Sequence, residues 1–220
     1  SNHGHQLKQR WTWRRRVRRA LGQRYDRVCA AIARLALHAR LLPLVARTHF
    51  SRASLLERGG PVVCMTTTAS RIARVHCSIE SIGSGRVRPG RLILWLSDPD
   101  TFARLPRTLR RLQSRGLEIR LAEEFGPHTK YYPYLEASDS FEVPMVTADD
   151  DSLYPAQWLQ ALLARHHDDA TSIHCHQARR MQLCGPEPEP HNAWRAPGDS
   201  HPSHLNFVCG SGGAIYPADF

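Results

Sequence analysis

The chain has 220 residues, 41% of them hydrophobic, which suits one good-sized globular domain with an appendage and is too short to assume two full domains. Its formal net charge of +10 is unevenly placed: residues 1–58 hold 14 of the 30 Lys+Arg and 2 of the 20 Asp+Glu, leaving the rest slightly acidic. Any argument from basicity to nucleic acid therefore concerns the N-terminal arm alone, not the body.

Residues 8–42 read as one long helix. Val17, Leu21, Tyr25, Val28, Ile32, Leu35, Ala39 and Leu42 step by threes and fours onto one face, arginines fill the others, and Trp11 and Trp13 stand at the start. Pro43 is expected to end it. A basic amphipathic helix with tryptophans suits first an anionic membrane surface, next packing on the body or a partner, and least a nucleic acid. The arginines interrupt every apolar run, so no membrane-crossing helix is expected. No secretory signal is visible, and the start Ser1-Asn2-His3-Gly4-His5 suits a processed N-terminus. The six cysteines (29, 64, 77, 175, 184 and 209) are scattered, several in apolar stretches, which predicts reduced core residues in a cytosolic protein.

Arg58-Gly59-Gly60 marks a boundary between the arm (1–58) and a body (59–220) in which strands and helices alternate. The pattern predicts a strand at 62–65, a helix at 69–82, a doubly covered strand at 92–96 and a helix at 106–115. Strands at 117–121 and 141–146, a helix at 155–166 and a strand at 171–175 follow. The alternation implies an α/β fold with a mostly parallel sheet flanked by helices, Rossmann-like, behind the long basic amphipathic helix. Ligands of such sheets bind beyond the carboxyl ends of the strands, where the sequence puts Thr66-Thr67, Ser97-Asp98 and Asp149-Asp150-Asp151. Residues 185–204 are rich in Pro, His and Asn and read as a surface excursion.

The aspartates carry the chemistry. A buried strand that runs straight into three adjacent carboxylates needs a neutraliser, because crowded acids repel. A hard divalent ion, Mn²⁺ or Mg²⁺, prefers oxygen ligands and accepts substrate phosphates as partners. A solvated turn capping the next helix is the bland alternative.

Four segments occur in a telling order: 62–97 (VVCMTTTASRIARVHCSIESIGSGRVRPGRLILWLS), 126–131 (GPHTKY), the strand ending in Asp149-Asp150-Asp151, and 212–217 (GGAIYP). Together they resemble the bacterial nucleotide-sugar glycosyltransferases of the GT-A fold found in capsular and surface polysaccharide gene clusters. The resemblance implies a metal-dependent transferase that moves sugar from a nucleoside-diphosphate sugar to a glycan or lipid-linked acceptor, in the cytoplasm or on the inner face of the membrane. It implies nucleotide contacts from Thr66, Thr67, Arg71, Lys130, Asp149 and Asp150. It also implies a metal held by Asp149 and Asp151 of an Asp-x-Asp motif, and Gly212 and Gly213 beside donor or acceptor sugar. Similar proteins continue to a further acidic pair; here Asp219 is the only late carboxylate, so the chain is expected to be a truncated copy with Asp219 a weak candidate base.

Three other readings compete. A non-catalytic protein binding membrane or nucleic acid through its arm would not need the aspartates. A Mg²⁺-dependent phosphoryl-transfer enzyme would want an aspartate where Thr66-Thr67-Thr68 stands, and no Gly-x-x-x-x-Gly-Lys loop occurs. His174-Cys175-His176 with Cys184 lacks the paired spacing of a zinc site.

Overall fold

The computed structural model describes residues 29–137 and 141–218. By internal contacts the chain divides into two units, residues 1–43 and 44–220.

Helix α1 (Cys29–Phe50) begins in the first unit. Within the described residues it runs through Pro43, where a stop was expected. The proline's missing N–H removes one backbone bond without ending the helix. Residues 8–28, with Trp11 and Trp13, lie outside the described residues. Ile32, Leu35 and Leu42 are exposed. By length and composition α1 is also apolar enough to cross a membrane, contrary to the reading from uninterrupted runs. Arg34, Arg40 and Arg47 dilute its apolar character less than they interrupt it.

The second unit is built on a six-stranded sheet. Its strands are β1 (Val62–Thr66), β2 (Arg91–Leu96), β3 (Leu117–Leu121), β4 (Met145–Thr147), β5 (His174–Cys175) and β10 (Ala214–Tyr216). Their order is β3-β2-β1-β4-β10-β5. The first four are mutually parallel, and β10 is antiparallel to both β4 and β5. This is the mostly parallel, helix-flanked sheet that the alternation implied.

Both faces are covered, which is why β1 and β2 read as unbroken apolar runs. Side chains alternate across a strand. Val63 and Met65 of β1 and Leu92, Leu94 and Leu96 of β2 enter the larger core, beneath α2 (Val75–Gly83), α4 (Arg107–Gln113) and α6 (Trp158–Asp168). Val62, Cys64, Ile93 and Trp95 enter the opposite core with Tyr134 of α5 (Tyr132–Glu136). Burial pushes the Cys64 thiol up to about 12, so it stays protonated and inert.

Residues 44–58 pack with the body. Leu55 is fully buried, and its N–H donates to the Arg115 carbonyl at 2.9 Å. Beneath them Arg115 and Glu80 form a buried ion pair, with Arg115 Nε donating to the Ala53 carbonyl at 2.7 Å.

Several elements differ from expectation. The strand expected at 141–146 shrinks to Met145–Thr147, because Pro144 cannot donate to the ladder. Pro144 still accepts from Val62 N–H at 3.1 Å. The helix expected at 69–82 starts at Val75, after a run of turns that carries Arg71. A short helix α3 (Pro99–Ala103), capped by Asp98, was not foreseen. Cys29 and Cys184 are exposed and Cys175 and Cys209 half-buried, so only Cys64 and Cys77 are the buried residues expected of all six. The 185–204 excursion is largely exposed and bounded by two small antiparallel pairs: β6 (Ala178–Arg180) with β9 (Asn206–Val208), and β7 (Leu183–Cys184) with β8 (Glu187–Pro188).

Candidate functional site

β1 and β4 are parallel neighbours, with Cys64 level with Thr147. Their C-terminal extensions therefore emerge side by side, bringing Thr67 to the aspartates across 83 residues of sequence. Thr67 Oγ1 donates to Asp150 Oδ2 at 2.6 Å. Arg71, on the turns that follow β1, donates through Nη1 to Asp150 Oδ1 at 2.9 Å and lies 3.3 Å from Asp151 Oδ2. From α2, the Ser78 hydroxyl donates to the Asp150 backbone carbonyl at 2.7 Å. Asp150 is thus buried with both carboxylate oxygens engaged, and its role is to hold Arg71 in place. The hydrogen bond to Asp150 holds the Arg71 guanidinium above its ordinary pKa, with the charges of Asp150 and Asp151 adding to it.

Asp149 faces a different partner. Lys130 Nζ, at the end of the 3-10 turn Gly126–Lys130, donates to Asp149 Oδ1. Both side chains are largely shielded, with 15% and 22% of their surface exposed. The Asp149 N–H donates to the Tyr154 hydroxyl at 2.6 Å, and burial raises the Tyr154 phenol so that it stays neutral. Asp151 is the open member of the triplet, its side chain 60% exposed.

The sequence-predicted residues thus converge in part. Thr67, Arg71 and Lys130 all meet the aspartates. Thr66 instead donates to the Trp95 carbonyl at 3.1 Å, bracing β1 against β2. Gly213 has φ +87°, and a Cβ there would stand 2.5 Å from the Trp158 ring. The Gly212 carbonyl accepts from Trp158 Nε1 at 2.8 Å. Tight packing on Trp158 therefore accounts for Gly213, while a Cβ on Gly212 would stand 3.1 Å from the Gln177 side chain and 3.2 Å from that of His176. The glycine that does border the site is Gly210, where a Cβ would lie 3.2 Å from Lys130 Nζ and 3.9 Å from Asp149 Oδ1. Sequence reasoning missed Tyr154 and Ser78, which carry no motif of their own. Asp219 lies outside the described residues.

Beside the aspartates, at the ends of β1 and β2, is a cleft of about 200 Å³ bounded by Thr67, Thr68, Ser97, Asp98, Thr101 and Glu124. Ser97 donates to Glu124, and Asp98 accepts from Thr101, whose hydroxyl holds the Asp98 carboxyl below its usual range. The histidines of the rejected zinc reading are engaged elsewhere. His174 Nε2 is 2.7 Å from the Asp169 carbonyl, and His176 Nε2 is 3.0 Å from that of Trp158.

The donor set bears on a divalent ion. Among the described residues no three His, Cys, Asp or Glu side chains gather as metal ligands, and Asp149 and Asp151 each face a cationic side chain instead. Two carboxylates are nonetheless the kind of partial donor set that Mg²⁺-type ions use when substrate phosphates and water complete the shell. Charge points the same way: Arg71 and Lys130 answer two of three aspartates, leaving one negative charge over. A diphosphate entering beside them needs a further cation. The residues fit a divalent ion that arrives with phosphate, not a resident one.

No family model matches the chain, and no curated protein matches it. Among solved structures it is similar to a mannosyltransferase from Pyrobaculum calidifontis, solved in complex with GDP-Man and Mn²⁺. That likeness has 14% identity and a TM-score of 0.41, over 65% of this chain and 44% of that one. It is also similar to CMP:2-keto-3-deoxy-manno-octonic acid synthetase complexed with CTP, at 12% identity and a TM-score of 0.40, over 72% of this chain and 74% of that one. The chain thus spans less than half the length of the mannosyltransferase.

Proposed function

We propose that the sheet-end site binds a nucleoside-diphosphate sugar together with Mn²⁺ or Mg²⁺. The sugar passes to a glycan or lipid-linked acceptor, in the synthesis of a surface polysaccharide. The observation that carries this reading is the meeting of Thr67, Arg71 and Lys130 with three consecutive aspartates at the carboxyl edge of a parallel sheet.

Each residue then has a task. Asp150 and Thr67 fix Arg71, whose side chain is 55% exposed and offers its remaining N–H groups to a phosphate. Lys130 supplies a second positive charge on the opposite side of the triplet. Asp149 and Asp151 would hold the ion, which supplies positive charge against the departing diphosphate. The cleft bounded by Thr68, Ser97 and Glu124 would take the nucleoside. The catalytic base is left unassigned. We place the protein on the inner face of the membrane, with the basic arm and the exposed apolar side chains of α1 against the lipid.

Calorimetric titration of UDP and GDP, with Mn²⁺ and then with chelator, tests the reading. Binding of one nucleotide that requires the metal, and that Asp151→Asn abolishes, is the expected result. Binding of neither nucleotide under any condition would overturn it.

A further inference from the structure

We infer that Lys130 is a latch on Asp149: it occupies that carboxylate in the nucleotide-free protein and leaves it for the diphosphate. Asp149 is thereby released to the divalent ion only when nucleotide is present. The inference rests on the donor-site reading above and adds to it an order of events and a residue that enforces it.

The geometry carries the argument. Lys130 Nζ sits on Asp149 Oδ1, and both side chains are shielded enough that the contact is not dissolved by solvent. Asp149 is itself fixed, since its N–H is tied to the buried Tyr154 hydroxyl at 2.6 Å. Gly210 lies against the pair: a Cβ there would stand 3.2 Å from the ammonium and 3.9 Å from the Asp149 carboxylate. An ammonium and a divalent cation on one carboxylate repel, so an ion arriving alone must first evict Lys130 into water with no new partner. A diphosphate changes the balance. It offers the ammonium oxygens of higher charge than a single carboxylate, and its own oxygens complete the shell of the ion. Asp151 is open and Asp150 is committed to Arg71 and Thr67, so Asp149 is the member of the triplet whose availability the lysine controls.

Metal and nucleotide are then positively coupled, and linkage makes the coupling reciprocal. For ligands that share one displaced ion pair, the expected size is about tenfold, within the usual range of roughly 5- to 150-fold.

The test follows free Mn²⁺ by electron paramagnetic resonance during titration of the full chain. Wild type, Lys130→Met and Lys130→Arg are compared, first with Mn²⁺ alone and then with UDP or GDP. Without nucleotide, wild type and K130R should hold Mn²⁺ weakly and K130M about tenfold more tightly. With the nucleotide that binds, the gain in Mn²⁺ affinity should be about tenfold larger for wild type than for K130M, whose gain comes from the phosphate oxygens alone. Should K130M melt early, Lys130→Gln replaces it, because it keeps a polar end against Asp149. Equal Mn²⁺ affinity for wild type and the neutral variants without nucleotide would overturn the latch. So would a wild type whose Mn²⁺ affinity ignores a nucleotide that it binds. The Mn²⁺-only comparison needs no nucleotide, so the latch can fail while the donor site stands. Conversely, failure of both UDP and GDP to bind would strike the donor reading and leave the Mn²⁺-only comparison to decide the latch.

Discussion

Asp150→Asn separates the roles of three neighbouring aspartates that a motif treats alike. Asp150 accepts from Thr67 at 2.6 Å and from Arg71 at 2.9 Å, and it is buried. Asparagine keeps the shape and can be satisfied: its oxygen faces Arg71, and its NH₂ meets a threonine hydroxyl turned to accept. What disappears is the charge. Hydrogen bonds to ionised groups contribute about 1.5–3 kcal/mol against about 1 for neutral ones, so each bond loses about 1 kcal/mol. Arg71 is more than half exposed, so solvent screening cuts its share to about 0.5 kcal/mol. The expected loss is therefore about 1.5 kcal/mol, read as a lowered midpoint in equilibrium urea unfolding. Asp151→Asn removes an exposed carboxylate 3.3 Å from Arg71 and should cost under about 0.5 kcal/mol. In nucleotide binding the two variants should also differ in kind. Asp151→Asn abolishes the metal-dependent binding, whereas Asp150→Asn weakens it by freeing Arg71 but leaves it dependent on metal. Equal destabilisation by the two substitutions would refute the division of labour.

Two further outcomes are expected. Glu80→Ala strands Arg115, 3% exposed, with only carbonyl partners such as Ala53. Breaking a buried pair from one side costs about 3–5 kcal/mol, and the surviving carbonyl bonds place this case near 3; a loss under about 1 kcal/mol in urea unfolding would show that the pair is not holding residues 44–58 to the body. For α1, the intact chain should float with anionic vesicles, and replacing exposed Leu35 and Leu42 by Asp should lower partitioning at least about a hundredfold, since each buried leucine contributes about 1.5–3 kcal/mol. Flotation unchanged by the double substitution would refute the membrane assignment.

The sheet was legible because burial on both faces writes unbroken apolar runs into β1 and β2, and their short length favours strand over buried helix. Ends were less legible. Pro144 shortened a strand and Pro43 failed to end a helix, because the cost of one missing N–H depends on whether the neighbouring strand or turn can absorb it. Gly213, read in the sequence as room for a ligand, makes room for Trp158 in the structure. A glycine announces that something approaches its backbone, not what approaches.

The roles within the triplet follow from a periodicity of two. Val146 and Ala148 enter the larger core with Val63 and Met65 of β1, so the next residues of the same parity, Asp150 and Thr67, turn toward that face and meet. Met145 belongs to the opposite core, and its parity carries through Thr147 to Asp149, which meets Lys130 beyond β3. The middle aspartate is thereby drawn inward as a brace, while Asp149 meets the lysine on the other side and Asp151, past the last turn of the strand, stays in solvent. Reading the triplet as three equivalent ligands discards this alternation. Keeping it favours the outer pair for the proposed metal for a steric reason: the inner carboxylate already faces a hydroxyl and a guanidinium, and a divalent ion there would have to displace both.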